Sequence, residues 1–94
     1  MKLLVTGGLG AIGKPLIAAL EGKGHEVWFC DLYQHHHPRY IRCDVRHRRQ
    51  LGRIFAEHGF DCVYHLAAEF GRHNGEDYYE NMWSTNVVGT KNLL

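Results

Sequence analysis

The stretch VTGGLGAIG, Val5 to Gly13, decides how the rest of the chain is read. Four of its nine residues are glycine, and they follow the apolar run Leu3-Leu4-Val5. After them come Ile12, Leu16, Ala19 and Leu20 at helical spacing. The pattern predicts a strand over Lys2–Thr6 joined to a helix over Ala11–Glu21 by a turn almost free of side chains. Pro15 has no N–H to donate, which is acceptable only near a first turn, so the helix starts at about Gly10 to Ile12. Gly22 and Gly24 supply its stop. The strand is apolar without alternation, the mark of a parallel strand covered on both faces.

Working outward, His25–Asp31 reads as a second strand, with Val27, Trp28, Phe29 and Cys30 in succession. LYQHHHPRY is loop, and YIRCDV is a third strand. Arg46–His58 is expected to be an amphipathic helix through Leu51, Ile54 and Phe55, ended by Gly59. DCVYHLAA, Asp61–Ala68, is a fourth strand, and EFGRHNGED a polar loop. A last helix from Tyr78 carries Tyr79, Met82, Trp83, Val87, Thr90 and Leu94 on one stripe and is still running at Leu94. Strands alternating with helices imply an α/β fold: a three-layer, Rossmann-type parallel sheet. Right-handed crossovers give the strand order 3-2-1-4. Residues 1–94 form one such domain, expected to be truncated at its C-terminal end.

Composition narrows the class further. A chain of 94 residues buries only about 60 to 70% of its unfolded surface. With 45% hydrophobic and 22% charged residues it has the make-up of a globular domain, neither disordered nor membrane-embedded. The formal net charge of +1 gives no global field toward nucleic acid. Six of the eleven basic residues, Arg39, Arg42, Arg46, Arg48, Arg49 and Arg53, nevertheless crowd together. They lack interleaved aromatics and are read as a solvated helix face; a secondary reading turns Arg39 or Arg42 toward a bound ligand. Cys30, Cys43 and Cys62 are an odd set without C-x-x-C spacing, expected as buried, reduced thiols in a cytoplasmic protein. No signal peptide or membrane span is evident. His35-His36-His37 points three ways with no completing ligand, so a solvated loop and no metal are expected.

Gly7, Gly10 and Gly13 form G-x-x-G-x-x-G between strand and helix, where a helix N-terminus offers free N–H groups and partial positive charge to a pyrophosphate. Gly7 permits the turn, Gly10 clears the approach to phosphate, and Gly13 lets the helix pack closely. A plain glycine-rich turn is the alternative. Asp31 ends the second strand 18 residues after Gly13, where a carboxylate can accept from both hydroxyls of an adenosine ribose. A 2′-phosphate would be repelled there, which favours NAD over NADP.

TGGLGAIG resembles the T-G-x-x-G-x-x-G fingerprint of the extended short-chain dehydrogenase/reductases, the family of NAD-dependent epimerases and dehydratases. Three further segments follow in order. CDV at Cys43–Val45 is similar to the family's D-[LIV], HLAA at His65–Ala68 to its H-x-A-A, and NVVGTKNLL at Asn86–Leu94 to its N-x-x-G-T-x-N-[LIV]-[LIV]. The resemblance implies NAD as cofactor, held by Gly7, Gly10, Ala11, Ile12, Gly13, Asp31, Asp44, Val45, Leu66, Ala67, Ala68 and Asn86. Asp44 would meet the adenine amino group and Val45 the ring, while Asn86 is equally open to a structural hydrogen bond. His65 reads as a packed strand residue, and Glu69 as a substrate contact. The implied substrate is a nucleotide-linked sugar, with a homodimer compatible and no nucleic acid or membrane partner.

The family's Tyr-x-x-x-Lys is missing from the chain: no tyrosine is followed four residues later by lysine. No catalytic residue is therefore assigned, and the chain alone is expected to be inactive. The competing reading is a non-catalytic dinucleotide-binding or sensing module.

Overall fold

A computed structural model describes residues 1–68 and 84–94. The chain runs β1 (Lys2–Thr6), α1 (Gly13–Gly22), β2 (Glu26–Asp31), β3 (Tyr40–Arg42), α2 (Arg48–Glu57) and β4 (Cys62–His65). A π-helical segment, Ser84–Gly89, then leads into the short α3 (Thr90–Leu93). The four strands form one parallel sheet in the order β3-β2-β1-β4, the order the sequence implies. Thr6 stands level with Cys30 on one side and with His65 on the other, so the carboxyl ends of the three strands share an edge.

β1 is the centre of the molecule, and Leu4, Val5 and Thr6 are each 0% exposed. Successive side chains of a strand point to opposite faces. Leu3 and Val5 pack with Val27, Phe29 and the α1 residues Ile17 and Leu20. Leu4 packs on the other side with Cys30, Cys43, Val45 and the α2 residues Leu51 and Ile54. Two cores, one per face, explain why this strand carries no polar alternation. Each fully buried aliphatic side chain contributes about 1.5–3 kcal/mol.

Several boundaries differ from the sequence expectation for identifiable reasons. α1 begins at Gly13, not Ala11, although Lys14 N–H already donates to Gly10 O and Leu16 N–H to Ile12 O. Pro15 is its third residue, where an N–H has no intrahelical acceptor anyway. Gly22 lies inside the helix, and Gly24, at φ +87°, makes the stop by donating to Glu21 O. Gly59 does not end α2. The helix closes at His58 in extended conformation, because the chain there is drawn toward β1. Lys2 N–H donates to Asp61 Oδ2 at 2.8 Å, Asp61 N–H donates to Lys2 O at 2.7 Å, and the His58 ring lies 4.2 Å from that of Trp28. β3 stops at Arg42, short of Val45, because Asp44 turns the chain by accepting from Arg46 N–H and His47 N–H. β4 stops at His65, short of Ala68, where Thr6 takes over the next backbone donors.

The last helix departs most. Residues 78–83 of its expected span, with Tyr79, Met82 and Trp83, lie outside the described residues. In the remainder Val87 and Leu94 are exposed, and Gly89 is buried instead. An i→i+5 ladder rotates successive residues less than an α-helix does, so the stripe read at α-helical spacing does not stay on one face. Gly89 allows the close approach: a Cβ there would sit 2.6 Å from Val45 Cγ2. Cys30 and Cys43 are buried as expected, but Cys62, at the start of edge strand β4, is exposed. Among the described residues no helix is long and apolar enough to cross a membrane.

Leu4→Ala should cost about 2–5 kcal/mol, a large share of the stability of so small a domain. Val87→Ala, at an exposed position, should stay within about 0.5 kcal/mol of wild type. Urea unfolding of the two variants measures the contrast.

Candidate functional site

A cleft of about 640 Å³ opens along the carboxyl edge of the sheet, where open α/β sheets place their ligands. Its floor and walls include Gly7, Gly10, Ala11, Ile12 and Gly13 from the turn after β1, and Asp31 from the end of β2. Asp44 and Val45 follow β3, and Leu66, Ala67 and Ala68 follow β4. The tertiary structure thus gathers eleven of the residues singled out in the sequence around one cavity. Asn86 is not among the lining residues; its neighbour Thr85 is. Glu69 lies outside the described residues.

The glycines divide by what surrounds them. Gly7 adopts φ +69°, and a Cβ there would lie 2.9 Å from Ala67 N. At Gly8 a Cβ would meet Phe29 Cβ at 2.7 Å, and at Gly13 it would meet Gly7 O at 2.5 Å. These three positions are closed by the protein itself. The Gly13 contact is with the turn rather than the sheet, a refinement of the role read from sequence. Gly10 is different: its nearest neighbour would be Gly7 O at 3.3 Å, and the rest of that space is cleft.

At the far end of the cleft Asp31 holds the glycine turn. Its Oδ2 accepts from Leu9 N–H at 3.0 Å and its Oδ1 from Leu32 N–H at 2.7 Å. Each carboxylate oxygen retains a further lone pair. The segment after it is pinned by Arg42 Nε, which donates to Leu32 O, and by the Tyr40 hydroxyl, which donates to Asp31 O and contacts Tyr33 O. Burial, with the Asp31 charge adding to it, pushes the Tyr40 hydroxyl up to about 12, so it stays a donor.

Asp44 carries a fork-on-fork pair with Arg46, whose Nη2 lies 2.6 Å from Oδ2. Burial works against the charged carboxylate, but the Arg46 side chain and N–H outweigh it and hold its pKa below the usual range. Beside it Cys43 and Cys30 also border the cleft, both almost wholly buried. Their mutual hydrogen bond, then burial, raises Cys30 far above the ordinary thiol, and the same bond lowers Cys43.

Thr6 and His65 form a bridge behind the cleft wall. Thr6 Oγ1 lies 2.7 Å from His65 Nδ1 and accepts from Leu66 N–H at 3.0 Å and Ala67 N–H at 3.1 Å. His65 Nε2 lies 3.0 Å from Thr90 Oγ1, which donates to Asn86 O at 2.7 Å. Burial lowers the His65 pKa. The packed-strand reading of His65 is therefore incomplete, since both ring nitrogens are engaged.

The sequence reading missed Leu9, Cys30, Leu32, Tyr33, Cys43 and Thr85 as cleft residues. Cys30 and Cys43 could have been found as strand-end neighbours of Asp31 and Asp44; Thr85 carries no local signal. Of the arginines, Arg39 donates to Glu21 Oε2 at 2.8 Å and to Val27 O, and Arg42 to Leu32 O. Neither lines the cleft. Arg48, Arg49 and Arg53 are exposed on α2, as expected. The histidine loop is more than solvated, because the rings of His35 and His37 lie 6.0 and 5.1 Å from that of Phe29.

A parallel sheet ordered 3-2-1-4 with a glycine turn opening onto its carboxyl edge defines a Rossmann-type nucleotide-binding fold. The model of the NAD-dependent epimerase/dehydratase family matches residues 3–94, and the chain belongs to that family. It is 36% identical over its whole length to a UDP-glucose 4-epimerase of Halalkalibacterium halodurans, covering 30% of that protein. It is 32% identical over 99% of its length to a 3-beta-hydroxysteroid dehydrogenase of Mycolicibacterium neoaurum, covering 27% of it. The crystal structure of a Thermus thermophilus UDP-glucose 4-epimerase in complex with NAD superposes on 99% of the chain with a TM-score of 0.89 at 28% identity, covering 32% of that protein. The chain thus spans about a third of the length of the relatives it matches.

Because folding lowers the proton affinity of His65, the unfolded chain takes up its proton first as pH falls. Its contribution to stability is whole above the ordinary histidine value of 6.5 and is lost as pH drops from there through the folded-state value. Thermal melts between pH 7.5 and 5 should show a falling Tm, and His65→Asn should flatten this part of the profile.

Proposed function

We propose that this chain binds NAD as the cofactor-holding part of an NAD-dependent epimerase/dehydratase that acts on a nucleotide-linked sugar. The observation that carries the reading is the pairing of Gly10 and Asp31 across one cleft. Gly10 leaves open space beside the start of α1 where a Cβ would stand, which suits a pyrophosphate on free N–H groups. Asp31 offers a carboxylate to the two ribose hydroxyls. Asp44 and Val45 would take the adenine, and Leu66, Ala67 and Ala68 would border the remaining length, with Asn86 nearby through Thr85. When bound, NAD supplies a hydride acceptor and donor for a sugar carbon. These residues would hold and orient it, with Thr6 wholly buried behind the Leu66–Ala67 wall.

Arg39 donates to Glu21 and Val27 and Arg42 Nε to Leu32 O, and neither residue lines the cleft, which supports NAD over NADP. The sugar-nucleotide branch is supported by identity to the epimerase over the whole chain, with Glu69 proposed as a substrate contact. The buried free thiols fit a reducing, cytoplasmic setting.

Calorimetry should find NADP binding weaker than NAD by roughly tenfold or more, about 1.4 kcal/mol. NAD should also raise the Tm, because it binds only the folded chain. Gly10→Val should keep the circular dichroism of wild type and lose NAD affinity, whereas Gly13→Val should lose the fold. Equal NADP affinity would remove the role of Asp31, and an unchanged Gly10→Val would remove that of the glycine turn. UDP-hexose turnover by the intact protein tests the substrate class; oxidation of a steroid hydroxyl instead would reassign it.

A further inference from the structure

The hydrogen bonds around His65 fix where its proton lies. Thr6 is wholly buried, and its hydroxyl oxygen already accepts from Leu66 N–H and Ala67 N–H. Leu66 N–H is shared with the Thr6 carbonyl oxygen at 3.2 Å, and with Ala67 N–H it occupies the acceptor side of the hydroxyl. Among the described residues the hydroxyl proton has one acceptor within reach, His65 Nδ1 at 2.7 Å. Nδ1 is therefore the bare nitrogen. On the other side Thr90 donates its proton to Asn86 O at 2.7 Å, which leaves its oxygen to accept from His65 Nε2 at 3.0 Å. Every donor meets an acceptor only if the ring is neutral with its proton on Nε2. A proton on Nδ1 would face the Thr6 hydroxyl proton and break one bond of the chain.

We infer that His65 is a positioning residue, a neutral Nε2–H imidazole that fixes the Thr6 hydroxyl beneath the Leu66–Ala67 wall and ties that wall to the C-terminal helical segment. The inference rests on the dinucleotide reading of the cleft for its functional consequence. Leu66 and Ala67 line the cleft, and so does Thr85, one residue before the Asn86 carbonyl that accepts from Thr90. The line of bonds thus runs from one wall through the ring to the other. It joins β1, β4 and the segment ahead of α3, which are distant in sequence. No step in this role moves a proton; the ring acts by holding a donor and an acceptor at fixed places.

The two sides of the ring can be tested apart. Asn places an amide oxygen near the position of Nδ1, so His65→Asn keeps an acceptor for Thr6 and loses the bond to Thr90. Gln reaches toward the position of Nε2, so His65→Gln keeps a donor for Thr90 and loses the acceptor for Thr6. The expected result is NAD affinity within about threefold of wild type for His65→Asn, and a loss of about tenfold or more for His65→Gln, which leaves a buried hydroxyl proton unsatisfied. Long-range nitrogen–proton NMR spectra of the histidine-labelled wild-type protein should show one His65 signal of the Nε2–H form at pH 7, without NAD. Thr90→Val should weaken that preference while leaving Thr6 in place.

An Nδ1–H form or a tautomer mixture at His65 overturns the assignment and needs no variant to fold. Equal affinities for the Asn and Gln variants overturn the positioning role. A wild-type protein that shows the Nε2–H signal but binds no NAD overturns the dinucleotide reading and leaves the tautomer assignment standing.

Discussion

The closeness of Gly13 to Gly7 is the constraint on which the site depends. A methyl at Gly13 would lie 2.5 Å from the carbonyl oxygen of Gly7, so the first turn of α1 can rest on the end of β1 only because nothing is there. Gly7 in turn bends the chain in a left-handed conformation against Ala67 N. These two absences put a helix N-terminus over the carboxyl edge of the central strand. Gly10, set between them, is the position whose missing side chain serves the cleft rather than the fold.

Around that turn the cleft is assembled from strand ends brought level by parallel pairing. Asp31 stabilises the turn itself through Leu9 N–H, so the carboxylate read as a ligand contact is also a structural acceptor. Asp44 does the same for the chain after β3, gripping Arg46 while facing the cleft. Asp31 thus holds backbone with some of its lone pairs and keeps others available, whereas Asp44 is engaged by Arg46 at both oxygens. Preorganisation of this kind lowers the entropy lost when a ligand is ordered in the cleft.

The local rules that fail do so where tertiary contacts compete. Gly59 was readable as a helix stop, yet α2 ends before it because Lys2 and Asp61 pull the chain into register beside β1. The stripe from Tyr79 to Leu94 was readable as an α-helical face, yet the π-helical ladder turns Val87 outward and buries Gly89 on Val45. His65 looked like a packed strand residue because neither threonine that engages it is near it in sequence.

The sequence alone determined the alternation of strands and helices, the order of the sheet, the glycine turn and the acid at the end of β2. Those features rest on local physics: unbroken apolar runs, missing Cβ atoms and a proline confined to a first turn. The resemblance of the chain's motifs to the epimerase/dehydratase family marked eleven of the cleft residues, which the fold sets at strand ends and in the turn. Only the tertiary structure decided which glycine faces the cleft, which arginines are committed elsewhere, and that Thr85 lines the cavity. It alone decided the state of His65, because Thr6 and Thr90 lie 59 and 25 residues from it in the chain. A proton is placed by the partners on both sides of a ring, and the fold brings those partners together.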